Sequence, residues 1–124
     1  MLEVEVIGSA LDAGEVRRAC EVAAGSAGVR DGHVAVEFVG AERIAELNLA
    51  HRGKEGPTDV LSFPVDEEEA FGPRELGDVV ICPEHTEDLL EAVVHGVLHL
   101  TGMDHESDEG EMLALQAEIR SWLT

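Results

Sequence analysis

Basic side chains are scarce in this sequence. Eight Lys and Arg face 27 Asp and Glu, for a net charge of −19. That balance excludes a protein that coats nucleic acid by general electrostatics, because such a surface must be positive. Cysteine is nearly missing too. Cys20 and Cys82 stand far apart and form no C-x-x-C pair, so two buried free thiols are expected in place of a disulfide framework or a Cys-based metal site. No apolar run reaches membrane-spanning length. The opening Met1-Leu2-Glu3-Val4-Glu5 lacks the basic start of a secretory leader, which leads us to expect a cytoplasmic protein. Internal repeats, linkers and a composition break are also missing. With 124 residues, 44% of them hydrophobic, one domain spanning 1–124 around a modest core is expected.

Histidine is where the sequence becomes specific. His95 and His99 are four apart, which stacks both imidazoles on one helix face. Gly102 offers the positive φ that ends a helix cheaply, and His105 comes three residues later. A His pair at helical spacing is easily met by chance. A third imidazole beyond a helix-ending Gly makes a metal site the better reading, with His95, His99 and His105 as ligands. Three neutral imidazoles with an open fourth position are a catalytic pattern for zinc. The surrounding residues, from Leu89 to Leu100, are mostly apolar, and unpaired imidazoles there would be costly to bury.

The rest of the chain reads as a small α+β domain. Leu2, Val4 and Val6 alternate with acids, as in a half-exposed strand. Asp12 and Glu15 open an amphipathic helix that Gly25 and Gly28 close. Val34, Val36 and Phe38 predict a second strand, and Ala41 to Leu49 a short helix. His51 to Thr58 reads as a polar loop. Asp59 to Pro64 is a strand that Pro64 ends or places at an edge, and Asp66 to Pro73 an acidic loop. Leu76 to Cys82 is a nearly continuous apolar strand, hence central. The metal helix is expected to start near Thr86 as N-cap, and a last helix near Ser107 or Asp108, its apolar face made of Met112, Leu115, Ile119 and Trp122 or Leu123. The order β-α-β-α-β-β-α-α predicts a mixed sheet of about four strands with helices packed on it.

The residue after His95 narrows the chemistry. The helical metallopeptidase motif H-E-x-x-H needs Glu after its first His, and here that position is Gly96. Three neutral imidazoles also leave the metal's charge uncompensated, which favours an anionic substrate such as a phosphodiester. A phosphodiester calls for a cation on its non-bridging oxygens, and Arg52 is the best-placed candidate. Asp59 and Asp104 are candidates for a proton acceptor or for orienting an imidazole. His51 and His85 read as surface residues.

The segment His95-Gly-Val-Leu-His99-Leu-Thr-Gly-Met-Asp-His105 resembles the H-G-x-L-H-L-x-G-y-D-H signature of the YbeY family of bacterial rRNA maturation factors. Asn48-Leu-Ala-His-Arg52, followed by Pro57-Thr58-Asp59-Val60-Leu61-Ser62-Phe63-Pro64, is similar to a second block of that family, and Leu76-Gly77-Asp78-Val79-Val80-Ile81 to a third. Met103 departs from the usual Tyr. The resemblance implies a metal-dependent endoribonuclease with one zinc ion on His95, His99 and His105 and Arg52 as a catalytic residue. It implies single-stranded RNA as substrate, in 16S rRNA 3′-end maturation and ribosome quality control. Contacts with the small ribosomal subunit are implied, while neither DNA nor a membrane is expected as a partner. Arg52, Lys54 and Arg43 would then have to supply the positive field for RNA. The alternatives are a metal-dependent hydrolase of another substrate, or a non-enzymatic ribosome-assembly factor whose metal is structural.

Overall fold

The computed structural model describes residues 2–65 and 75–123. The acidic stretch predicted as a loop over 66–73 lies outside the described residues. Four strands, β1 (Leu2–Ile7), β2 (Gly32–Phe38), β3 (Val60–Pro64) and β4 (Glu75–Ile81), form one sheet in the order β1-β2-β4-β3. β1, β2 and β4 run parallel, and β3 pairs antiparallel with β4. The helices are α1 (Ala13–Ser26), α2 (Ala41–Arg52), α3 (Leu89–Leu100) and α4 (Glu111–Trp122), with a 3₁₀ turn at Pro83–His85. The expected α+β architecture and element order are what is found.

Alternation along β4 organises the layers. Val79 and Ile81 point into the main core with α1, α3 and α4, whereas Val80 and Cys82 face a smaller cluster with Leu61 and Ile44 of α2. β4 is therefore covered on both sides, which explains its apolar sequence. β3 is an edge strand, with Pro64 at its end. Both cysteines are buried and free, and burial pushes the Cys20 thiol up to about 12.

Gly96 sits where α3 crosses β4. A Cβ at this position would run into both γ-methyl groups of Val79. The residue that distinguishes this helix from H-E-x-x-H thus has a packing cause: any side chain would push the helix off the sheet. Ser62 Oγ donates to the Gly96 carbonyl at 3.0 Å and ties edge strand β3 to the same turn of α3.

Several boundaries depart from expectation. α2 runs three residues past Leu49, so His51 and Arg52 occupy its last turn, and Gly53 at φ 67° terminates it. Thr86 does not cap α3. Its hydroxyl donates to the Cys82 carbonyl at 2.7 Å and closes the 3₁₀ turn, while Asp88 caps the helix by accepting from the Glu91 N–H at 3.1 Å. α4 starts at Glu111, with Asp108 reaching in to accept from the Gly110 and Met112 N–H groups. On α4 it is Leu123 that packs against the core, and Trp122 is exposed.

Candidate metal centre

The site begins with how α3 ends. Gly102 has φ 104°, the Gly102 N–H donates to the His99 carbonyl at 3.0 Å, and the Met103 N–H donates to the Leu98 carbonyl at 3.2 Å. Those two bonds make a Schellman motif, with Met103 packed against the core beneath it. The reversal carries the chain back along α3. Asp104 then holds the next turn, its carboxylate accepting from the Glu106 N–H at 3.0 Å and its carbonyl from the Ser107 and Asp108 N–H groups. His105 is thereby set opposite His95 and His99.

The three rings converge. Their centroids lie 4.7 Å apart for His95 and His99 and 5.2 Å for each of the other pairs. One ligand nitrogen from each falls within 4.8 Å of the other two, and all three residues are half-buried. Among the described residues this is the one such grouping of His, Cys, Asp and Glu side chains.

The donor set fits a divalent metal. His99 Nδ1 lies 3.0 Å from the Met103 carbonyl, which can only accept, so that nitrogen carries the proton and Nε2 keeps its lone pair. His95 Nδ1 lies 2.6 Å from Gln116 Oε1, which assigns the same tautomer. Burial, then the neighbouring His95, hold the His99 pKa below the ordinary imidazole value against the pull of the Met103 carbonyl, so the ring is neutral and ready to ligate. Ligands around a tetrahedral first-row metal sit roughly 3.3 Å apart for bonds of about 2.05 Å. Closing the triad to that spacing takes a movement on the order of an ångström, within reach of side-chain torsions.

α3 and α4 brace each other across two rungs. His95 meets Gln116, and seven residues earlier Asp88 accepts from Arg120 Nε at 2.7 Å, four residues after Gln116. Sequence reasoning missed Gln116. The only signal was a polar side chain one turn from Met112 on the face of α4 that turns inward. Asp59 and Asp104 do not orient these two imidazoles: the Asp59 carboxylate accepts from the Val60 N–H and the Thr58 hydroxyl, and Asp104 caps its own turn.

The triad opens onto a cleft along β3. His51 and Arg52 line it from the end of α2, and Glu87, Glu91 and Glu106 from the α3 side. Arg52 is the one Lys or Arg among its described lining residues and has no hydrogen bond or ion pair with another described residue. Arg43, expected to share the positive field, instead pairs with Glu46 at 3.3 Å, and neither it nor Lys54 lines the cleft. His51 and His85 are exposed, as expected of surface residues, yet both line the cleft.

Comparison with known proteins places the chain in a family. A family profile described as Endoribonuclease YbeY matches residues 9–124. A Rubrobacter xylanophilus protein named Endoribonuclease YbeY is 47% identical over 95 residues, covering 73% of this chain and 67% of that protein. A Bacillus cytotoxicus protein of the same name is 41% identical over 127 residues, covering 84% and 81%. The solution structure of TM1509 from Thermotoga maritima superposes with a TM-score of 0.60 at 30% identity, over 99% of this chain and 89% of that one.

Proposed function

Since this chain belongs to the YbeY family of endoribonucleases, we propose that it is itself a metal-dependent endoribonuclease that cuts single-stranded RNA, holding one zinc ion on His95, His99 and His105. The observation that carries this reading is the tautomer lock. With Nδ1 of His95 and His99 committed to Gln116 and Met103, both rings have only Nε2 left to offer a cation. Zinc suits a set of neutral nitrogen donors with an open position. When bound, it supplies Lewis-acid polarisation of a phosphoryl oxygen and a lowered pKa for water.

The chain's own residues do the rest. Arg52, exposed and unpaired among the described residues, binds the non-bridging oxygens of one phosphate and stabilises the charge that grows there during attack. Asp104 lines the same cleft. Its carboxylate, next in sequence to His105, takes the proton of the attacking hydroxyl and returns it to the leaving oxygen. The acid residues on the α3 side repel a polyanion, so the phosphate backbone runs along the α2 side of the cleft.

The biological setting we propose is 16S rRNA 3′-end maturation and ribosome quality control in the cytoplasm. The small ribosomal subunit or its proteins would help to deliver the RNA. A net charge of −19, with a single cation among the described residues lining the cleft, supports a guiding partner. No helix among the described residues is long and apolar enough to cross a membrane. Incubating the zinc-loaded protein with single-stranded RNA, duplex RNA, single-stranded DNA and casein tests the reading. Cleavage of single-stranded RNA alone is expected, and cleavage of casein alone would overturn it.

A further inference from the structure

His51 is not used by the site described above, yet it lines the cleft beside Arg52. Its imidazole lies 4.4 Å from the Phe63 ring, centroid to centroid, at 46°. Phe63 is half-buried, packed against the small cluster of Ile44, Leu61, Val80 and Cys82, which anchors it. His51 is exposed, and its imidazole makes no hydrogen bond or ion pair with another described residue. The His51 ring thus leans at a tilt on an anchored aromatic and is exposed along the lining of the cleft. Its neighbour in sequence, Arg52, is the one cation among the described residues lining that cleft.

We propose that His51, backed by Phe63, is a nucleobase-stacking subsite, which holds one unpaired base of the RNA while Arg52 holds a phosphate. The inference rests on the endoribonuclease reading and deepens it. Every nucleobase offers a π-face, so such a platform binds RNA without regard to sequence. A base can reach it only when it is out of a duplex stack, so the platform also selects single strands. It contributes attraction that does not depend on charge, which matters in a chain this acidic. His51 serves here as a positioning residue and transfers no proton.

The test is binding of short, fluorescently labelled single-stranded RNA to the full metal-loaded chain, read by anisotropy within the interval before cleavage, which a gel defines for each variant. His51→Ala is expected to bind about tenfold more weakly than wild type, within the range found for loss of a base-stacking partner. His51→Phe, which keeps a ring and loses the titratable nitrogens, should restore binding. In a set of oligomers each lacking one base, at least one should bind wild type and His51→Ala alike. Unchanged binding by His51→Ala overturns the proposal. So does failure of His51→Phe to restore binding, or a loss that persists across the whole base-free set. Wild type that binds no single-stranded RNA overturns the endoribonuclease reading itself, a result distinguishable from these.

Discussion

His99 Nδ1 donates to the Met103 carbonyl at 3.0 Å, and the carbonyl is held there by the helix-ending turn that begins two residues after His99. Ring tautomer and backbone reversal are therefore one feature. Gly102 makes the reversal possible at φ 104°, a conformation that costs an L-residue about 1 kcal/mol or more. Gly102→Ala should lower the melting temperature and weaken metal binding together, since straining the turn displaces the Met103 carbonyl. A variant that melts earlier but binds metal as wild type does would separate the two.

Gln116 should matter through His95 alone. Gln116→Leu keeps the volume of the half-buried side chain and removes the acceptor 2.6 Å from His95 Nδ1. Metal affinity should fall roughly 10- to 100-fold, the usual effect of losing such a partner. Competition against a chromophoric chelator reads this directly, and Gln116→Glu, which accepts more strongly, should retain tight binding.

Arg52→Ala should abolish most RNA cleavage while leaving the fold alone. The side chain is exposed and unpaired among the described residues, so stability should change by no more than about 0.5 kcal/mol. Arg52→Lys should recover only part of the rate, because an ammonium cannot grip two phosphate oxygens at once. Cleavage by Arg52→Ala at the wild-type rate would remove this residue from the mechanism.

Asp88 makes stability pH-dependent. Burial raises its pKa, but the Arg120 hydrogen bond, the Glu91 N–H and the Arg120 charge outweigh that and hold it below the usual value. A depressed pKa in the folded state contributes stability above the unfolded value, near 3.9, and the contribution is lost as pH falls through the folded value. Asp88→Asn can still cap α3, so it isolates the charge. It should cost about 1 kcal/mol or less at pH 7, given the partial exposure of the pair. Melting curves of variant and wild type should converge once the pH falls below the folded-state value.

The imidazole triad was legible because helical spacing and a helix-ending Gly are local properties, written within eleven residues. Strand β4 was legible because burial on both faces leaves no room for alternation. The end of α2 was not. Its buried residues are Ile44 and Asn48, its last turn is polar, and nothing in His51-Arg52-Gly53 distinguishes a solvated helical turn from a loop. The cap of α3 was misplaced because a 3₁₀ turn intervenes, and Thr86 serves that turn. Gln116 was invisible for a different reason. Its role depends on α4 packing against α3, a contact 21 residues away in sequence that no motif encodes.

Metal content decides whether the three imidazoles hold an ion. Wild type should carry about one zinc per chain by elemental mass spectrometry after purification without chelator, and a folded His105→Ala variant a substoichiometric amount. His105 lies in a loop outside the core, so the variant should keep its helices and strands by circular dichroism. Equal metal in both proteins, or none in wild type even after incubation with excess zinc, would contradict the account.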